Sequence, residues 1–590
     1  MSSDPQTDEM LLLVSSFSGV VDSPASDSKA KKPPKRRSRA SERAPTTLVF
    51  TNPADLHSRE QILTGAWMHE SHDVSLDLFP FVSHCSLFSL GSEFTKLDLI
   101  SLWIAEGLFL SLIDDSRKAE DVASDVFDSL VSHRVLVFSR FDKIPDFMNP
   151  GIGRLLYKVN DSSTLPPSFR PALLDNRLFI FPSRGPSVEQ VPRDLFLWLK
   201  HLRSLNLSGS HLSIIPSSIG NLKWLIYMDL SYTPIKFLPD AMVSLHNLQT
   251  LKLRYCSNLR ALPKNMRKLT NLKHLDLDVL RALDSMPIGM GQLTNLQTLS
   301  AFLVGKNDGN RILELKHIVN LAGAFCISRL ENVSSFEEAK EAALIEKKFL
   351  GKLELRWTNR RVRSNNFVDQ EEEKILEHLQ PPLGIQFLRI VCYCGSKLPS
   401  WISHPSYDSL TDLTLHSCSD CKFLPSIGEL PSLQVLKIVE MIELKSIDHH
   451  FCRKDFNQQD HAFPKLQKLT IESMSKLEDW TGIQNGDFPE LHTLKVERCP
   501  LLVSLPLLYY LYSLKHLELN HCPSILALPD SDLPLSLEFF LMKDCAELKK
   551  RCHKDEGKDW GKICHVPKIV IDYEKISWQV SMPEELSDPN

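Results

Sequence analysis

Apolar residues recur along this chain as Leu-x-x-Leu-x-Leu. The run begins at Leu202, Leu205, Leu207 and continues at Leu225, Met228, Leu230; Leu248, Leu251, Leu253; Leu272, Leu275, Leu277; and Leu296, Leu299. Successive first anchors are 23, 23, 24 and 24 residues apart. The pattern resumes at Leu350, Leu353, Leu355; Ile385, Leu388, Ile390; Leu410, Leu413, Leu415; and Leu433, Leu436, Ile438. It ends with Leu466, Leu469, Ile471; Leu491, Leu494, Val496; Leu514, Leu517, Leu519; and Leu537, Phe540, Met542, and a degenerate copy sits at Phe325 and Ile327. Alternation with period two predicts a short strand whose anchors point inward while the residues between them point out. A single unit cannot bury its apolar face, but stacked copies bury a continuous core.

About fourteen repeats of this length and pattern define a leucine-rich repeat array. The expected fold class is α/β: a curved parallel sheet with an irregular or helical convex side. Proline supports the register. Pro216, Pro239 and Pro399 fall nine residues after their third anchors, and Pro263, Pro287, Pro425, Pro506 and Pro529 fall ten after theirs. A proline at a fixed phase closes the loop after the strand and starts the convex segment. Cys256, Cys418, Cys499, Cys522 and Cys545 each lie three residues after a third anchor. That phase predicts small buried side chains stacked at a turn. In the irregular middle, Ser335 to Leu350 reads as a helix with a Ser334/Glu337 capping box, and Gln370 to Gln380 as another, ended by Pro381.

Upstream, residues 79–109 hold a helical pattern with Leu97, Ile100, Trp103 and Ile104 at helix spacing, and a second helix is expected from Asp121 to Val135. Residues 1–75 are rich in Ser and Pro, carry the basic run KAKKPPKRRSRASER at 29–43, and are expected to be a disordered tail. The implied organisation is a tail over 1–75, a small winged-helix-like domain over 79–165, a linker or cap over 166–200, the repeats over 201–572 and a C-terminal tail over 573–590.

Composition narrows the function classes. A net charge of −5 argues against a general nucleic-acid binder, and 13 Cys in 590 residues are too few for a disulfide scaffold. No apolar run reaches the length of a membrane span; Met10 to Val21 is interrupted by Ser15, Ser16 and Ser18. No nucleophile, acid–base or metal constellation stands at a motif spacing, so no enzyme, metal or cofactor is expected. Cys552-His553 and Cys564-His565 match no standard zinc module.

LWIAEGLF at 102–109, preceded by HCSLFS at 84–89, resembles the winged-helix segment of plant coiled-coil NB-ARC leucine-rich-repeat disease resistance proteins. HLRSLNLSGSHLSIIPSSIGNLKWLIYMDLSYTPIKFLP at 201–239 is similar to that family's first repeats. NLQTLSAFLVG at 295–305, SRLENV at 328–333 and LPSIGELPSL at 424–433 are similar to its later ones, and KKRCHKDEGKDWGKICHVPKIVID at 549–572 resembles its usual C-terminus. The resemblance implies a defence protein of the innate immune system. Two features depart from it. No Gly-Lys pair completes Gly-x-x-x-x-Gly-Lys: Gly305, Gly351, Gly557 and Gly561 have Ser300, Glu346, Cys552 and Glu556 where the first Gly is required. At the family's Met-His-Asp nucleotide sensor stands Val159-Asn160-Asp161. The expectation is a truncated member lacking the coiled coil and the nucleotide switch.

KKPPKRRSRASERAPTT at 31–47 resembles, more weakly, the basic lead of plant VQ-motif proteins, which bind WRKY transcription factors. Leu56, Glu60, Gln61, Thr64 and Gly65 occupy the core positions, with Leu and Glu in place of Phe and Val. A nuclear regulator binding a WRKY factor through 56–65 is therefore the alternative function, and a non-signalling gene fragment a further one. The leading expectation is recognition of a protein ligand, a pathogen effector or a guarded host protein, in the cytoplasm, with the nucleus as the alternative. The concave positions between anchors supply the candidate face. Lys468, Glu472, Lys495, Glu497, His516 and Glu518 form its expected centre, with Arg254 and Asp276 in the N-terminal repeats as the competing placement.

Overall fold

The computed structural model describes residues 194–277, 283–358, 367–454, 461–554 and 556–577, with shorter stretches at 48–49, 93–94, 96–106, 108, 119–132, 137–138, 178–180 and 191. Most of the 1–75 tail, the 56–65 segment and Val159-Asn160-Asp161 lie outside the described residues. The chain divides into one unit of residues 1–233 with 247–250 and another of 234–246 with 251–590.

In the first unit, helices occupy Lys96–Glu106 and Ala119–Ser132. The first buries Leu99, Ile100, Leu102 and Trp103; the second buries Val122, Ala123, Val126 and Phe127. Both faces follow the helical spacing of the sequence. Lys96 Nζ reaches Asp128 Oδ1 at 2.7 Å and joins the two helices at the surface. Leu48–Val49 pairs antiparallel with Glu93–Phe94 and with Val137–Phe138, so the segment expected to be disordered contributes a short strand here. Leu178–Ile180 pairs parallel with Ser204–Asn206, and that strand with Tyr227–Asp229, so the parallel ladder starts before the first regular anchor.

In the second unit, twelve strands form one sheet. It runs from Ala301–Leu303 through Ala322–Ser328, Phe349–Arg356 and Phe387–Val391 to Asp412–His416 and Val435–Val439, all parallel. It continues through Lys468–Glu472, Thr493–Glu497, His516–Asn520 and Phe539–Lys543 to Lys568–Ile571. Glu574–Ser577 then turns back antiparallel and covers the last edge, so the sheet extends past residue 572. Every anchor named from the sequence is buried, the degenerate Phe325 and Ile327 included.

Three recurring devices hold the stack. Pro216, Pro239 and Pro399 sit at φ near −69° and lead into 3₁₀ turns at Ser217–Asn221, Asp240–Ser244 and Ser400–Ser403. The phase-locked cysteines are buried and unlinked. Their thiols point at the carbonyl two residues back, and three of them also at the third-anchor carbonyl of the preceding repeat: Cys418 to Ile390, Cys522 to Val496 and Cys545 to Leu519. The third device is a left-handed residue two positions after the third anchor. Gly209, Tyr232, Tyr255, Arg329, Cys392, Ser417, Glu440, Ser473, Arg498, His521, Asp544 and Tyr573 all have φ between 52° and 73°. From seven of them, including Ser417, Arg498 and His521, the backbone N–H donates to a carbonyl of the next repeat at 2.8–2.9 Å.

The middle differs from the sequence expectation. The chain is α-helical only over Phe336–Glu341. Ala343 then turns left-handed, a 3₁₀ turn follows at Leu344–Glu346, and Phe349 opens a strand to Arg356. Leu350, Leu353 and Leu355 follow the anchor spacing, and pairing with both neighbouring strands takes that segment for the sheet. The cap is also shifted by one. Ser335 Oγ accepts from the Glu338 N–H at 3.4 Å, and the Glu338 carboxylate accepts from the Ser334 N–H at 2.9 Å. The other expected helix spans Phe367–His378 and buries Ile375 and Leu376.

Candidate partner-binding face

Parallel pairing brings the six predicted residues onto three adjacent strands. Lys468 stands beside Thr493 and Thr493 beside His516; Thr470 stands beside Lys495 and Lys495 beside Glu518; Glu472 stands beside Glu497 and Glu497 beside Asn520. They share one face because side chains two apart on a strand point the same way.

Their charges are largely answered within the protein. Lys495 Nζ lies 2.6 Å from Glu497 Oε2. Arg498 reaches back from its left-handed turn, donating Nη2–H to Glu472 and Nη1–H to Glu497 at 3.0 Å. Burial alone would raise the Glu497 carboxyl, but Lys495 and Arg498 hold it below its ordinary range. Burial likewise opposes the Lys495 ammonium, and the bond to Glu497 wins and raises it. His516 is exposed and meets the Phe539 ring edge-on at 5.8 Å between centroids. Lys468 is exposed and Glu518 half-buried. The face is thus a neutralised lattice with Lys468 and His516 as its accessible ends. Arg498 was not singled out from the sequence, because it lies outside the strand alternation.

At the competing placement, Arg254 Nε meets Asp276 Oδ2 at 2.6 Å. Lys252 beside them is half-buried, and burial lowers its ammonium to about 8.

A second constellation lies midway along the same sheet. Cys326, Glu354, Arg389, Thr414 and Lys437 occupy one column, each in register with the next. Glu354 and Arg389 are 5% and 7% exposed, unusual for charged residues on an outward-pointing column. Arg356 donates Nε–H to Glu354 Oε1 at 2.7 Å, and Arg389 Nη1 is 3.7 Å from Glu354 Oε2. His416, on the next strand, is lowered to about 4 by burial and then by the Arg389 charge. Burial also lowers the Lys437 ammonium, with Lys468 and Arg389 adding to the effect. Arg389 stands between the anchors Leu388 and Ile390, so the alternation places it on this face; its burial has no signature in the sequence.

Among the described residues, Asp448, His449 and His450 form the one trio whose ligand-type atoms lie within 4.8 Å of one another. Cys552 is buried, its thiol raised to about 12 by desolvation, whereas Cys564 is exposed. No helix among the described residues is long and apolar enough to cross a membrane.

A parallel sheet of leucine-anchored strands with a charged outer lattice, together with a two-helix segment that reads as a winged helix, defines the class: a leucine-rich-repeat protein carrying a disease-resistance winged helix. Family models agree. Residues 87–147 match the disease resistance protein winged helix domain, 200–257 the leucine rich repeat, 312–441 the R13L1/DRL21 repeats and 394–523 the repeats of plant disease resistance proteins like RPS2. The homologues of this chain are plant disease resistance proteins. Disease resistance RPP13-like protein 1 of Arabidopsis thaliana is 34% identical over 532 residues, 83% of this chain and 50% of that protein. Disease resistance protein RGA2 of Solanum bulbocastanum is 30% identical over 627 residues, 91% of this chain and 62% of that protein. The chain thus spans between half and two thirds of the length of these two relatives. Among solved structures, a leucine-rich-repeat protein of Leptospira interrogans aligns over 69% of this chain and 97% of its own, at 18% identity and a TM-score of 0.37.

Proposed function

We propose that this chain serves plant defence as a recognition module: the outer face of the repeat sheet binds a protein, either a pathogen effector or a host protein that effectors target. The observation that supports this reading most is the in-register lattice of Lys468, Glu472, Lys495, Glu497, His516 and Glu518 on three adjacent strands. Strands about 4.8 Å apart present such side chains at a fixed pitch. Mixed signs at fixed pitch reject like-charged surfaces and orient complementary ones, which favours a protein partner over a nucleic acid. The reading includes no catalysis, no cofactor and no nucleotide switch, and places the protein in the cytoplasm.

The test is capture of partners from infected leaf tissue on the full chain, identified by mass spectrometry. Reversing Lys495 and Glu518 together should abolish capture of the specific partner, whereas reversing Arg254 and Asp276 should leave it. The opposite result would move the site to the N-terminal repeats.

A further inference from the structure

The guanidinium of Arg389 has one edge committed and one edge unanswered. Nη1 faces Glu354 Oε2 at 3.7 Å, while Nε–H and Nη2–H are buried and find no acceptor among the described residues. These two N–H groups form the side of the guanidinium fork that grips a carboxylate with two parallel hydrogen bonds. A buried donor left unmade is costly, and more so on a charged group. On Arg389 two such donors lie along one edge of the same guanidinium.

The surrounding charges say what that is. Glu354, on the preceding strand, is the one carboxylate that Arg356 and Arg389 share. On the following strand stand Thr414, the neutral His416 and Asp412, and one strand farther Lys437. Asp412 is itself raised by burial and lies in the adjacent column, near Lys352 and Lys437. Glu440 is engaged by the hydroxyl of Ser417. Cys326 and Cys392 are buried thiols pushed upward by desolvation and carry no charge near neutral pH. Two guanidinium groups against the Glu354 carboxylate, with Lys437 one strand beyond Thr414, leave the site positive, which suits an anion.

We propose that Arg389 anchors a carboxylate subsite on the outer face of the sheet, which takes an Asp or Glu side chain of the partner protein. The subsite rests on the reading of this face as protein-binding and adds to it a residue class that the partner must present. Arg356 and Lys437 flank the incoming carboxylate. Thr414, between Arg389 and Lys437 in register, marks where it lies. The subsite is three strands from the Lys495 lattice, so one partner polypeptide of modest length spans both.

The experiment uses the full chain and a triglutamate peptide blocked at both ends, with the triglutamine peptide and inorganic phosphate as controls, followed by calorimetry. Triglutamate should bind saturably and triglutamine and phosphate should not. Arg389→Gln should weaken triglutamate binding roughly tenfold or more. Thr414→Glu installs the missing carboxylate within the protein; it should raise Tm and abolish triglutamate binding. This second variant does not depend on the fold tolerating loss of Arg389. The proposal is overturned if wild type ignores triglutamate, if phosphate binds as well as the peptide, if Arg389→Gln binds unchanged, or if Thr414→Glu lowers Tm. Partner capture that depends on Lys495 and Glu518, combined with unchanged triglutamate binding by Arg389→Gln, would remove this subsite and leave the broader reading intact.

Discussion

Arg453 and Asp487, 34 residues apart in sequence, form an ion pair whose side chains are 4% and 0% exposed. Asp487 also accepts from the backbone N–H groups of Ala462 at 3.0 Å and Gln484 at 2.8 Å. It therefore ties together the long connections on either side of the strand Lys468–Glu472. Removing one partner of a buried pair leaves the other charged and desolvated, which costs about 3–5 kcal/mol. Asp487→Ala should lose that much in urea unfolding of the full chain. Replacing both members, Arg453→Met with Asp487→Leu, should recover a large part of it, because no charge is then stranded. Equal losses in the single and double variants would mean that the backbone N–H bonds carry the effect.

The outward and inward assignments on the strands are checked at neighbouring positions. Leu517 is fully buried between adjacent strands, and His516 beside it is exposed. Leu517→Asp places an unpaired carboxylate in the core and should cost about 4 kcal/mol or more. His516→Asp should change stability by less than about 1 kcal/mol. Thermal unfolding of the two variants distinguishes them, and similar losses would refute the strand orientation.

His416 makes the repeat domain acid-sensitive. The unfolded imidazole takes up its proton near 6.5, while the folded one resists until about 4. Between these values the unfolded chain binds more protons, so stability falls as pH drops from 6.5 to 4. The full contribution is on the order of 3 kcal/mol. Glu440 and Glu354 oppose it by favouring the charged ring, and Arg389 and Arg356 add to it. His416→Gln should flatten the stability profile across that window. An unchanged profile would show that the ring is protonated in the folded protein.

The missing Gly-x-x-x-x-Gly-Lys carries an expectation about nucleotides. That loop supplies the run of backbone N–H groups that cradles a phosphate chain, and this sequence does not complete its pattern. Calorimetry of the full chain with ATP or ADP should show no micromolar binding. Saturable binding in that range would refute the reading of a recognition module without a switch.

The parts of the fold that were legible are those that one period explains. Leu205, Leu275, Leu413 and Leu494 repeat a spacing, and spacing fixes which side chains are buried. The helix after Ser335 misled because Phe336, Ala339 and Ala343 keep a helical period up to the point where Leu350, Leu353 and Leu355 begin another. Local sequence does not say which period prevails; pairing with residues 27–28 positions before and 35 after decides it. The face itself was legible as a set of positions, but not as a set of charges. Whether Glu497 is free depends on Lys495 and on Arg498, which reaches the face from a turn. Whether Arg389 is exposed depends on the bulk of its neighbours in register. Those are properties of the stack rather than of any one repeat.

The left-handed turn that follows twelve of the described strands left no mark in the sequence, and it supports the last prediction. In this phase Gly209 is the lone glycine; elsewhere the position holds Tyr, Arg, Cys, Ser, Glu, His or Asp. A residue with a Cβ pays about 1–2 kcal/mol to adopt that conformation. The stack enforces it because the N–H must reach across: from His521 it donates to the Lys543 carbonyl at 2.8 Å. The His521 side chain is about half exposed and pairs with Asp544 at the surface, an interaction worth at most about 1 kcal/mol. His521→Gly therefore exchanges a weak surface pair for relief of backbone strain and should be neutral or stabilising by up to about 1 kcal/mol. His521→Val adds β-branching to the same dihedral and should destabilise by about 1–2 kcal/mol. Urea unfolding of the two variants measures the difference. If glycine is the more damaging substitution, the turn is held by the imidazole rather than by the interstrand hydrogen bond.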